Sequence, residues 1–331
     1  MNELNQNLKL NPHLFEVGVE QTPIRKGYGE GLVIAGDTNP HVVALCADLT
    51  ESTQTLAFSK KYPNRFIEMG IGEQNMAAVA SGMSAMGKVP FITSYAMFSP
   101  GRNWEQIRTT VCYNDQNVKI AGSHAGVSVG PDGGTHQAIE DIAIMRVIPR
   151  MTVIVPCDTI EARKATVAAA QHKGPVYIRL AREKSPIVTT DDTPFTIGKA
   201  NLLLQPKDPD VLIIVCGVLV YQSVLAARML MEKGIRASVL NVHTIKPLDA
   251  ESILAAARTA GRVVTVEEHQ ALGGLGSAIT ELLSEQYPVP IRRIGVPDVF
   301  GQSGEPNELL THFGLDAEGI TKSVADFVHP H

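Results

Sequence analysis

The chain has 331 residues, 44% of them hydrophobic, with 29 basic against 34 acidic side chains and a net charge of −5. That length suits two domains with sizeable cores, and the lack of any Lys/Arg tract excludes a nucleic-acid surface. No apolar run is long enough to span a bilayer and the first residues lack the apolar stretch of a secretory signal. The four cysteines are scattered with no CxxC pair, so reduced structural thiols in a soluble cytoplasmic protein are expected, with no disulfide framework or metal cluster.

Residues 1–22 read as an N-terminal extension, and from residue 23 short β-branched runs alternate with helical stretches. Segments 42–46, 65–69, 89–93, 118–122, 152–156 and 176–181 read as strands. Continuous apolar strands separated by helices predict a parallel sheet covered on both faces. Residues 73–86, rich in Ala and Met and followed by Gly87, read as a helix. Asp158-Thr-Ile-Glu161 is a capping-box-like start for a helix running to Gly174-Pro175, a glycine stop followed by a breaker. The first domain is therefore expected over 23–185. Pro186, Pro194, Pro206 and Pro209 mark a linker over 186–210 with some extended structure of its own. A smaller α/β domain is expected over 211–331, with strands at 211–215, 237–241 and 262–266. Val220, Val224, Ala227 and Met231 share one helix face there, and further helices are expected over about 249–260 and 277–286. The fold class is α/β, with two domains each built on a parallel sheet.

In open parallel sheets, ligands bind beyond the carboxyl ends of the strands. Asp48 follows the first predicted strand, Glu73 the second, Tyr95 and Phe98 the third, His124 the fourth and Arg182 the sixth. Singly, each has a plainer reading. A carboxylate such as Glu73 is favoured at any helix start, Tyr95 and Phe98 suit a core, and His124 and His136 suit a hydrogen-bonded loop. As a set delivered to one edge they point to a site. The loop from His124 to His136 holds Gly126, Gly130, Gly133 and Gly134 with Asp132 among them, a pattern that fits a substrate loop better than a solvent turn. Gly273-Gly-Leu-Gly-Ser277 lacks the full G-x-G-x-x-G spacing and reads as a tight turn packing a helix. Glu267, Glu268 and His269 before it read as domain-contact or solvated residues.

Met69-Gly-Ile-Gly-Glu-Gln-Asn-Met76, Tyr95-Ala-Met-Phe98 and Gly130-Pro-Asp132-Gly-Gly-Thr-His136-Gln together resemble the pyrimidine-binding and C-terminal domains of transketolase, from about residue 23 to the end. Transketolases also carry an N-terminal domain with a Gly-Asp-Gly…Asn motif for the metal and diphosphate. No Gly-Asp-Gly occurs in this sequence, so the resemblance is to the second subunit of a transketolase split over two chains. It implies thiamine diphosphate, with Mg2+ bound by the partner, and transfer of a two-carbon ketol unit from a ketose to an aldose. It also implies that Glu73 hydrogen-bonds N1′ of the aminopyrimidine, that Tyr95 and Phe98 stack on that ring, and that Asp48 lies near the cofactor. Where many members carry a third aromatic, Gly101 stands here. Arg25, Ser52, His124 and Arg182 match positions that hold a sugar's terminal phosphate, Asp132 one that reads a sugar hydroxyl, and His136 one beside the reacting carbons. A sulfonate or another anionic tail suits the same donors. The implied assembly is an α2β2 heterotetramer with a self-dimer, in which the smaller domain supplies dimer contact rather than chemistry. Deoxyxylulose-phosphate synthase and the β-subunit of a 2-oxo acid dehydrogenase are related alternatives, and a non-catalytic interaction subunit is another.

Overall fold

Apolar β-branched runs set the architecture: all five residues of Val42–Cys46 and of Val211–Val215 are buried, as strands covered on both faces must be. The computed structural model describes residues 4–329. Its strands are β1 (Gln21–Pro23), β2 (Val42–Cys46), β3 (Phe66–Glu68), β4 (Val89–Tyr95), β5 (Lys119–Ser123), β6 (Thr152–Ile154), β7 (Val176–Arg179), β8 (Lys184–Pro186), β9 (Asn201–Leu204), β10 (Val211–Val215), β11 (Ala237–Asn241), β12 (Thr244–Lys246), β13 (Val263–Gln270) and β14 (Ile291–Val296). Its helices are α1 (Ile24–Thr38), α2 (Leu56–Lys61), α3 (Glu73–Ala85), α4 (Trp104–Gln106, continuing as a π-helical stretch over Ile107–Tyr113), α5 (Asp141–Arg146), α6 (Thr159–Gln171), α7 (Leu219–Glu232), α8 (Ala250–Ala260), α9 (Leu275–Gln286), α10 (Pro306–His312) and α11 (Ala317–Val328).

The first sheet runs in the order β12-β6-β7-β5-β4-β2-β3, parallel throughout except for β12. The second runs β14-β13-β10-β11-β9, with only β9 antiparallel. The predicted strands are present in both domains, and a short β1–β8 ribbon closes the first.

Four features depart from the sequence reading. Within 186–210, read as a linker, β9 pairs with β11 and so belongs to the second sheet. β12 lies inside the predicted second domain yet extends the first sheet by pairing with β6. The sequence reading assigns the extension no packing, yet Leu10 and Leu14 are buried in the second domain's core, and the Asn5 and Asn11 amides bond to the Leu203 and Val188 carbonyls. On α7 it is Leu230 that is buried, while Met231 is partly exposed.

Asp158 caps the start of helix α6, its carboxylate accepting from the Glu161 amide at 2.8 Å. Glu161 reaches back one residue further than a capping box requires, to the Cys157 amide at 2.6 Å. The helix closes at Gln171, capped at His172, before the predicted Gly174 stop. Hydrogen bonding by the helix ladder had lapsed by then, and Gly174 (φ +103°) turns the chain into β7. All four cysteines are free and buried. Among the described residues no helix is long and apolar enough to cross a membrane.

Candidate active site

The chain leaves β2 toward its outer neighbour β3 but leaves β4 toward β5 on the other side. The crevice between the carboxyl ends of β2 and β4 is therefore a topological switch point, where open sheets bind ligands. Glu73 is the first residue of α3 and is 1% exposed, yet it is not embedded in apolar packing. One carboxylate oxygen accepts from Arg102 Nη1 at 2.7 Å, the other from Ser94 Oγ at 3.3 Å, and its backbone carbonyl accepts from Asn103 Nδ2 at 3.0 Å. The positive end of α3 adds to this setting for an anion.

Beside it lies an aromatic patch. Tyr95 and Phe98 stack with centroids 6.1 Å apart and planes 18° off parallel. His124 stacks on Tyr95 at 3.8 Å, and His136 meets Phe98 edge-on at 5.5 Å. Arg102 was not foreseen from the sequence. Its guanidinium lies 4.7 Å from the Phe98 centroid while gripping Glu73. It follows directly on Gly101, where a side chain would collide with the Met97 carbonyl at 2.0 Å. A strand-end search passes over Arg102; the only signal was an arginine four residues after Phe98, close enough in the turn to reach back.

A cationic corner adjoins the patch. Arg25 Nε donates to the Arg182 carbonyl at 3.1 Å, and its Nη1 donates to the Ser52 carbonyl. Ser52 thus joins the corner through its backbone. Arg182 Nη1 donates to the Val129 carbonyl at 2.6 Å and lies 3.8 Å from the Asp132 carboxylate. Burial lowers the Arg25 pKa, with Arg182 adding to it. Burial also pushes His124 down to about 3, assisted by Arg25, Arg182 and His136. Two guanidiniums and a neutral imidazole thus lie close together, with the Asp132 and Glu183 carboxylates beside Arg182, a donor set that suits an anion. Asp48 stands apart. It is exposed on the rim with φ +57°, its amide donates to Glu68 at 2.7 Å, and among the described residues no hydrogen bond or ion pair joins it to the Glu73 cluster.

The Gly273 turn is closed to phosphate. The Glu267 carboxylate already accepts from the Leu275 and Gly276 amides at 2.7 and 2.8 Å, filling the start of α9. Glu267, Glu268 and His269 are all buried rather than solvated.

Residues 20–187 match the transketolase pyrimidine-binding domain and residues 198–320 the transketolase C-terminal domain. A putative transketolase C-terminal section of Methanocaldococcus jannaschii is 44% identical over 92% of this chain and 95% of its own length. The chain belongs to the transketolase family. It has the make-up of the C-terminal subunit of a split transketolase. A 6-deoxy-6-sulfo-D-fructose transketolase subunit from a Clostridium species is 43% identical over 93% of this chain and 95% of that one. Among solved structures, a split-gene transketolase described as an inactive beta4 tetramer superimposes with a TM-score of 0.85 at 44% identity, covering 93% of this chain and 99% of the other.

Proposed function

We propose that this chain is the pyrimidine-binding half of a two-chain transketolase that moves a two-carbon ketol unit from a ketose with an anionic tail to an aldose. The observation that carries the reading is the Glu73 carboxylate, fixed by Arg102 and Ser94 beside the stacked Tyr95 and Phe98 rings. A flat heterocycle with a basic ring nitrogen needs those two things, a face and an in-plane carboxylate, so the residues fit thiamine diphosphate. Bound there, the cofactor supplies the nucleophilic carbon and the electron sink for breaking and remaking the bond beside the ketose carbonyl.

This chain's residues do the rest of the work on its side. Glu73 holds a proton at N1′ of the ring, and its two side-chain partners keep the carboxylate from turning away. Tyr95 and Phe98 orient the ring plane. Arg25, Arg182 and His124 hold the anionic tail, Asp132 reads a sugar hydroxyl and His136 reaches the reacting carbons. Asp48, on the rim, would lie near the cofactor at the boundary with the partner. The diphosphate and Mg2+ belong to that partner, an N-terminal subunit, in an α2β2 cytoplasmic assembly. The inactive beta4 assembly of the 44% identical split transketolase supports a requirement for a second chain, and the sulfo-sugar relative supports a tail of either phosphate or sulfonate.

The test mixes the chain with a diphosphate-binding transketolase subunit, thiamine diphosphate, Mg2+ and a ketose phosphate or ketose sulfonate, and measures aldose release. Release is expected from the mixture and not from this chain alone, and Glu73→Gln is expected to lower it by at least about a hundredfold. Undiminished turnover in Glu73→Gln would remove Glu73 from the reaction.

A further inference from the structure

The loop between His124 and His136 is built from glycines with left-handed or unusual backbone angles, among them Gly126 (φ +93°), Gly130 (φ +82°) and Gly133 (φ +75°). Such a segment has few side chains to hold its own shape, and glycine gives up the most freedom when ordered. Arg182 holds the Val129 carbonyl from within the first domain, and further side-chain support for the loop comes from the other domain. Glu268, near the carboxyl end of β13, is 2% exposed, and its carboxylate accepts from the Ser128 amide at 2.6 Å. The loop backbone rests on that carboxylate so closely that a Cβ on Gly126 would lie 2.4 Å from it. Gln137, at the far end, donates to the Val127 and Gly130 carbonyls inside the loop and to the Gln302 carbonyl of the second domain at 2.9 Å. Pro306 lies 3.1 Å from where a Gly130 side chain would begin.

Glu268 is an expensive choice for packing alone. Its second oxygen is buried without a hydrogen-bond partner, which destabilises the folded chain unless something is gained by it. The nearby positive charge of Arg179 offsets part of that penalty, although the guanidinium bonds the Glu268 backbone carbonyl at 2.7 Å and Asp141 rather than the Glu268 carboxylate. What the carboxylate does for this cost is anchor the loop that carries Asp132 and His136.

We infer that the C-terminal domain moulds the sugar-binding loop, with Glu268 and Gln137 as positioning residues, so that this domain governs substrate affinity more than cofactor affinity. The inference rests on the transketolase reading for the identity of the substrate, but not for the loop's dependence on Glu268. The Glu73, Tyr95 and Phe98 patch is held by α3 and the β4 turn and meets the loop only at its two ends, where His124 stacks on Tyr95 and His136 lies edge-on to Phe98.

The test uses the full chain, alone and mixed with a diphosphate-binding subunit. Amide hydrogen exchange is read over residues 126–137 of the chain alone, for Glu268→Ala, Glu268→Gln and Gln137→Ala. Faster exchange there is expected in both alanine variants and near-wild-type exchange in Glu268→Gln, whose amide oxygen can still accept from Ser128. In the active mixture, KM for the ketose is expected to rise about tenfold or more in the alanine variants, with a much smaller change in the dissociation constant for thiamine diphosphate and Glu268→Gln restoring KM. Unchanged loop exchange in a folded alanine variant would overturn the inference, as would parallel losses of sugar and cofactor affinity. If Glu268→Ala does not fold, Gln137→Ala decides the question by the same readouts. A mixture with no ketol transfer would count against the transketolase reading, while the exchange measurement still decides the loop.

Discussion

Arg102 does two things with one guanidinium: it neutralises Glu73 at 2.7 Å and covers one face of Phe98. Removing it would leave a buried carboxylate with a single hydroxyl partner, Ser94. Its side chain is 46% exposed, so solvent softens the loss to about 1–3 kcal/mol. Arg102→Ala is therefore expected to weaken cofactor binding roughly tenfold or more, and Arg102→Lys to recover only part, because an ammonium cannot bridge a carboxylate and a ring in one plane. Calorimetric titration of the mixed subunits with thiamine diphosphate checks this, and equal affinity in all three proteins would deny Arg102 the role. His124 makes a second residue-level case. Its pKa is pushed from 6.5 to about 3, by burial first and then by Arg25, Arg182 and His136. As pH falls below 6.5 the unfolded chain takes up this proton before the folded one, so stability from His124 declines through that window and levels off near 3. Ring-proton NMR is expected to find no protonation of His124 above pH 5, and Arg182→Ala is expected to raise its pKa. Titration near 6.5 in the unmutated chain would contradict the cationic corner.

At the scale of elements, what the sequence disclosed follows the physics of each signal. The strands were legible because a parallel strand buried on both faces is an apolar run, and the site residues were legible because such strands aim their carboxyl-end loops one way. Glu73, Tyr95, Phe98, His124 and Arg182 converge for that reason, whereas Arg25 arrives on α1 and was visible only through the resemblance, and His136 was visible through its glycine-rich loop. Ser52 contributes a carbonyl, which no side-chain pattern announces, and Arg102 belongs to a turn rather than a strand end. Helix α1 was hidden for the opposite reason. It contains Gly27, Gly29, Gly31 and Gly36, which lower helix propensity, and local pattern gives no hint of why they are there. The reason is tertiary: a Cβ on Gly27 would lie 1.8 Å from the Thr159 carbonyl, and one on Gly31 2.7 Å from that of Arg163. Gly27 and Gly31 let α1 lie against the first turns of α6 with backbone nearly touching backbone, while Gly29 and Gly36 make room for Gln54 and for the Phe58 and Tyr62 rings. Gly27→Ala is expected to cost about 1–3 kcal/mol or more by overpacking, despite alanine's better helix propensity. Gly82, exposed on α3 with nothing within 4 Å of its missing Cβ, is the control: Gly82→Ala is expected to be neutral or stabilising by up to about 1 kcal/mol. Chemical denaturation of the two variants measures both, and equal effects would show that propensity, not contact, decides at Gly27.

For the whole molecule, the two sheets are not independent bodies joined by a tether. β12 leaves the second domain to edge the first sheet, and Lys246 at its end donates to the Arg146 and Ile148 carbonyls at 2.9 and 2.6 Å. One apolar core runs through both, taking Ile120 and Val153 from the first sheet, Ile245 from β12, and Leu212, Leu240 and Ile253 from the second domain. Buried polar ties cross the same boundary, including Asn241 Nδ2 to Glu161 at 2.9 Å. The extension straps the outer side, with Leu14 fully buried in the second core. Neither domain could open without exposing apolar surface of the other, so local unfolding of one half has no low-cost route. The chain is expected to unfold in one cooperative calorimetric transition at fixed protein concentration, in spite of its two-domain sequence. Ile245→Ala removes a side chain that is 2% exposed in the shared core, at a cost of about 2–5 kcal/mol. Because that cost falls on a core common to both sheets, the variant's transition should move down in temperature as one peak. Two resolved peaks, with only the one from the first domain displaced, would mean that β12 decorates the sheet rather than locking the domains together.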